Sequence, residues 1–253
     1  MNKNCKNCKT ELNGNFCSHC GQSANTHRIN FHFLWHDIQH GLFHFDKGIL
    51  FTTKELFTRP GVSIKEFLDG KRVNHFKPFS FVIILAGLYG LLAHYFDINL
   101  LSNNFNVTGE GEEFVRTKAS LEKMTNWVSQ HYSLISLFQI PVFAFGTYIA
   151  FKKVGYNYIE HLVINSFIAG QKLIIRLLSF PLFVLFNNST NLIQIARYTD
   201  ILGYVVSIWT LIKLFNQISI SKRILRVIFA MAISLLFIFA ILTIAGIIFL
   251  SPN

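Results

Sequence analysis

Residues 227–250 read "VIFAMAISLLFIFAILTIAGIIFL", and none of them is charged. As an α-helix this run is about 36 Å long. A bilayer's hydrocarbon core is about 30 Å thick, so the run is a candidate transmembrane span. The whole chain agrees with that reading. Of its 253 residues 51% are hydrophobic and only 14% charged, and the mean hydropathy is +0.40. Soluble domains average roughly 25% charged residues. This chain is short of the charge that would cover a water-facing surface.

Working outward, four more apolar runs stand at about 79–96, 133–151, 162–186 and 201–215. The 201–215 run is short and could begin near Ala196. The 162–186 run is interrupted by Lys172 and Arg176. The expected fold is an all-α integral membrane protein with about five transmembrane helices. It divides into a small N-terminal segment (1–24), an amphipathic helical juxtamembrane linker (25–77) and a transmembrane domain (78–253).

The net charge of +10 would suggest nucleic acid in a soluble protein. In a multi-span chain it first sets orientation, so a nucleic-acid partner is disfavoured. Residues 1–77 carry eleven Lys and Arg, and Lys152, Lys153, Lys213, Lys222, Arg223 and Arg226 fall on the same side of the bilayer. The other side has Arg116, Lys118, Lys123 and Arg197. This predicts a cytoplasmic N-terminus and an exported C-terminus. The polar start "MNKNCKNCKTELNGNFCSHCGQ" has no apolar stretch of the kind a cleavable signal needs.

All four cysteines lie in that start, as Cys5, Cys8, Cys17 and Cys20. Two C-x2-C pairs can each wrap a turn around one ion and supply four thiolates to a tetrahedral site. The expectation is a zinc ribbon with one structural Zn2+ per chain. Asn13-Gly14 predicts a hairpin turn that folds one knuckle onto the other, and Gly21 predicts a positive φ. Disulfides are the alternative, and a reducing cytoplasm disfavours them. Four thiolates close the coordination shell, so the ribbon suits structure or docking of a protein partner rather than catalysis.

In "FHFLWHDIQHGLFHF", residues 31–45, His32, His36, His40 and His44 recur every fourth position. Turned at 100° per residue, Phe31, Leu34, Trp35, Ile38, Leu42, Phe45 and Ile49 share the opposite side. This predicts an amphipathic interfacial helix. A second metal site or a pH sensor at His36, His40 and His44 is the sharper alternative. Pro60-Gly61 then breaks the helix, and a short helix from Ser63 to about Leu68 should follow, ended by Gly70. Lys71, Arg72 and Lys77 crowd the first span, where they could bind anionic lipid or only fix orientation.

Lys172 and Arg176 are one turn apart on the third span. Cations inside a membrane cost about 2.5–3.5 kcal/mol each, so they should face the bundle interior and have a partner. Asp200 is the acidic residue available within the spans. These three residues could hold an anion or a lipid headgroup, or simply brace the helices. No G-x-S-x-G, P-loop, G-x-G-x-x-G or H-E-x-x-H pattern occurs, and no acid–base constellation for an enzyme stands out.

"FCSHCGQ", "FHFDKGILFTTKELFTRPG", "FLDGKRVNHFKPFSF" and "YNYIEHLVINSFIAGQ" resemble a bacterial membrane-protein family of unknown function. That family joins an N-terminal zinc ribbon to a multi-span domain. The resemblance implies a bacterial inner-membrane protein and supplies no reaction. The expectation is a non-enzymatic membrane module whose ribbon docks a partner. The alternative is a transporter or a lipid- or anion-handling protein using Lys172, Arg176 and Asp200.

Overall fold

The fold is that of a computed structural model, which describes residues 4–31, 33, 48–98, 119, 123, 127, 128 and 130–250, apart from the side chains of 245 and 247–250. Among the described residues the regular structure is helical. Two short helices come first, α1 (Gly48–Thr58) and α2 (Pro60–Leu68). Pro60 separates them by taking the first position of α2, where a missing N–H costs nothing. Gly70, with φ of 104°, turns the chain after α2.

Five long helices follow: α3 (Pro78–Tyr95), α4 (Tyr132–Phe151), α5 (Tyr158–Leu185), α6 (Asn191–Leu214) and α7 (Ile220–Leu250). All five are long and apolar enough to cross a bilayer, which fits a multi-pass membrane protein. Pro78 opens α3 as Pro60 opens α2. α5 runs without a break through Lys172 and Arg176. Its start is fixed by a capping box, in which Asn157 Oδ1 accepts from the Glu160 N–H and Glu160 Oε2 accepts from the Asn157 N–H. α6 begins at Asn191, ahead of the apolar run.

α5 is the central helix and packs on α3, α4 and α6. α7 lies on α4 and touches α6 only lightly, while α2 lies against the end of α6. Leu225, Ile228, Leu235, Leu236 and Phe239 of α7 are exposed, as lipid-facing side chains are.

Residues of the 25–77 stretch pack directly on the spans. Ile29, Leu56, Ile64, Phe67 and Phe76 share one buried cluster with Phe81, Val163, Ile164 and Phe167 of the spans. Fully burying each such side chain contributes about 1.5–3 kcal/mol. α1 and α2 therefore cap the bundle at its cysteine end. A second cluster, with Tyr89, Phe180, Phe183 and Leu192, closes the far end. The histidine row at His32, His36, His40 and His44 lies outside the described residues, as does most of the 97–132 loop.

Candidate functional site

Two polar constellations stand out, one at the cysteine end and one among the spans. In the first, the ligand atoms of Cys5, Cys8, Cys17 and Cys20 lie within 4.8 Å of one another. Cys5 Sγ is 3.6 Å from Cys20 Sγ, and Cys8 Sγ is 3.4 Å from Cys17 Sγ. Four sulfurs around one Zn2+ at about 2.3 Å would stand about 3.8 Å apart, so the cluster could hold such an ion.

The two knuckles are built alike. Cys5 N–H donates to Thr10 O and Lys9 N–H to Cys5 O; Cys17 N–H donates to Gln22 O and Gly21 N–H to Cys17 O. The residue after each second cysteine is left-handed, Lys9 at φ 67° and Gly21 at 74°. Gly21 thus takes the positive φ expected of it. The Asn13-Gly14 turn differs from expectation, because Gly14 is not at positive φ. The bridges Asn4–Glu11 and Phe16–Ser23 each close over one knuckle instead of pairing the two. The hydroxyl and N–H of Thr10 hold Cys8 down to about 5, whereas burial pushes Cys20 up to about 11.

This cluster sits against the bundle. Gln22 Oε1 accepts from the backbone N–H of Arg72 at 2.9 Å and of Val73 at 3.3 Å. Lys6 Nζ donates to Thr26 O. Gly70 lies so close to the Lys6 stem and Thr26 that a Cβ there would come within 2.9 Å of both. Arg28 donates to both carboxylate oxygens of Glu160, at 2.9 and 2.8 Å, and to Gly155 O at 2.6 Å. Asn157 Nδ2 donates to Ile29 O at 3.0 Å. Asn157 and Glu160 therefore cap α5 and also hold the N-terminal segment. The capping pattern is visible in the sequence; the pairing with Arg28, 132 residues away, is not.

Of the basic residues before the first span, Lys71 Nζ binds Glu66 Oε1 at 2.9 Å, and Arg72 donates to Phe67 O and His27 O. Lys77 immediately precedes α3. Lys71 holds the Glu66 carboxyl below its ordinary range. His75 is held below its ordinary value chiefly by burial. Its Nε2 is 3.0 Å from Ser63 Oγ.

The second constellation brings Lys172, Arg176 and Asp200 together but gives the cations different surroundings. Arg176 is buried and pairs with both carboxylate oxygens of Asp200 at 2.9 Å. It also donates to Tyr89 Oη at 3.0 Å and lies 3.8 Å from the centre of the Tyr132 ring. Lys172 makes no ion pair among the described residues. Its Nζ stands over the Tyr204 ring at 4.3 Å and near the Phe143 ring at 5.6 Å. Gly203 leaves room for its stem, since a Cβ there would approach Lys172 Cγ to 3.3 Å.

Lys172 lines a narrow cavity of about 50 Å³ between α4, α5, α6 and α7, room for roughly four waters. Its wall also carries Gln139, Phe143, Leu211 and Met231. Closer to the cysteine end, buried polar groups are bonded to one another. Thr147 Oγ1 accepts from Asn165 and is 3.1 Å from His161 Nδ1. Gln171 donates to Leu56 O and accepts from Thr210.

Residues 46–90 match a family described as a protein of unknown function (DUF3667). The stretch covers α1, α2, the seat of the N-terminal segment and most of α3. No curated protein matches the chain. No solved structure matches it either.

Proposed function

We propose that this multi-span membrane protein binds a small anionic group in the cleft beside Lys172. One observation carries the reading: Lys172 lies among the spans with aromatic faces around it and no carboxylate partner among the described residues. An intramembrane cation costs about 2.5–3.5 kcal/mol. Ring faces return about 0.5–2 kcal/mol. An anion at Nζ supplies the remainder. Arg176 is already neutralised by Asp200, so this pair shapes the cleft while Lys172 takes the ligand.

The cysteine cluster serves in this reading as a structural zinc ribbon, with one Zn2+ held by Cys5, Cys8, Cys17 and Cys20. Its bonds through Gln22 and Arg28 favour a cap on its own bundle over recruitment of another protein. The positive-inside bias favours a cytoplasmic cap, and the family resemblance favours a bacterial inner membrane.

The test is thermal unfolding of the detergent-purified protein titrated with acetate, inorganic phosphate and oleate. A ligand at one hundred times its Kd stabilises by about 2.7 kcal/mol. The wild type and Lys172→Arg should respond to at least one anion, and Lys172→Met to none. If no anion gives a response that Lys172→Met removes, the reading fails.

A further inference from the structure

The charge, size and opening of the cleft narrow its ligand further. Resting on the anion reading above, we infer that the occupant is a single-chain amphiphile with a carboxylate head, entering sideways from the bilayer between α6 and α7.

The charge count comes first. Arg176 and Asp200 cancel, and Lys172 is left as one uncompensated cation facing the cavity. A monoanion balances it. A phosphate monoester with two charges would leave a negative charge in a low-dielectric space, which costs several kcal/mol. The volume comes second. About 50 Å³ admits a carboxylate and excludes the glycerol phosphate of a two-chain phospholipid. The head fits inside and the tail must stay in the mouth.

The helix contacts set the position of that mouth. α5 forms the floor of the cleft. α4 and α7 pack closely along one wall, where Gly146 meets Ala230 and Ser234. The opposite wall is α6, which packs on α5 and α2 but only lightly on α7, and has no substantial contact with α4 among the described residues. The open seam therefore runs between α6 and α7. Exposed Val205 and Ile208 on α6, and Ile228 and Leu235 on α7, stand within one helical turn of the cavity-lining Tyr204, Ser207, Met231 and Ser234. A water-borne ion would have to cross this apolar border, whereas an acyl chain lies along it. Leu211 and Met231 line the inner part of the seam, and methionine adapts readily to such a guest.

The experiment uses the full chain in phosphatidylcholine nanodiscs, with radiolabelled oleate as the probe. Unlabelled oleate, acetate and inorganic phosphate compete against it in the wild type, Lys172→Met and Met231→Trp. Oleate should bind and be displaced by oleate at a concentration at least tenfold below that needed of acetate. Lys172→Met should lose binding. Met231→Trp, which fills the seam, should weaken oleate at least tenfold. Acetate or phosphate competing as well as oleate would overturn the amphiphile while leaving the anion site standing. Unchanged oleate affinity in Met231→Trp would overturn the lateral entry. Binding of none of the three, or binding indifferent to Lys172→Met, would overturn both. The wild-type comparison of oleate with acetate stands even if Met231→Trp does not fold.

Discussion

Asp200→Ala removes the carboxylate that neutralises Arg176. The guanidinium keeps the Tyr89 hydroxyl and the Tyr132 ring face, but loses both charge-assisted bonds. Breaking a fully buried pair costs about 3–5 kcal/mol. The Arg176 side chain is 5% exposed but that of Asp200 is 40% exposed, so the pair is only partly enclosed by the protein and the figure is discounted. The expected loss is therefore about 2 kcal/mol. Arg176→Met combined with Asp200→Leu removes both charges, and such replacements are often neutral or stabilising. The assay is reversible unfolding in mixed micelles, read by circular dichroism, for the single and double variants. Recovery of most of the loss in the double variant supports a bracing role. A double variant as unstable as Asp200→Ala, or a single variant losing less than about 0.5 kcal/mol, would refute it. The double variant should also keep the Lys172-dependent anion response.

Gly61 abuts the backbone of α6 at Lys213 and Leu214, and a Cβ there would collide with it. Gly61→Ala should destabilise by about 1–3 kcal/mol as α2 is pushed off α6, whereas Gly87→Ala, with open space around it, should stabilise by up to about 1 kcal/mol; thermal melts of the two variants check this. Cys17→Ser should reduce bound zinc from one per chain to none by elemental analysis, while His36→Ala/His40→Ala keeps one. The same Cys17→Ser variant should open the chain to trypsin at Arg28, because Ile29 and the Arg28–Glu160 pair lose their support. Burial holds His75 below its ordinary value of 6.5, so the unfolded chain takes up the proton first as pH falls. Stability should drop between about pH 6.5 and the lower folded value, and His75→Phe should flatten that slope. Glu66 and Glu55 oppose the shift and Arg59 adds to it. The lowered Glu66 carboxyl acts in a separate window: its contribution is full above its ordinary value of 4.5 and lost as pH falls further.

The five long helices were legible because apolar runs of this length with few charges match the thickness of a bilayer. Their starts were less so. α5 begins at Tyr158 and α6 at Asn191, since polar first turns such as "YIEH" and "NLIQ" lie outside an apolar window and still form helix. The cysteine spacing showed which four side chains would converge, because each pair is a local turn. The seat of the cluster was not legible, since Gln22 with Arg72 and Arg28 with Glu160 are contacts across the folded chain. The sequence also put Lys172 and Arg176 on one helix face and offered Asp200 as their acidic partner. Which cation takes the carboxylate depends on how α6 turns against α5. With Gly203 beside the Lys172 stem, Asp200 faces Arg176.

The claim that Lys172 is completed by a bound anion is tested most directly by a cryo-electron microscopy map of the protein in nanodiscs containing oleate. Non-protein density is expected about 2.8 Å from Lys172 Nζ, continuing as a chain toward the seam between α6 and α7. Nζ bonded only to protein or water, with no such density, would contradict it.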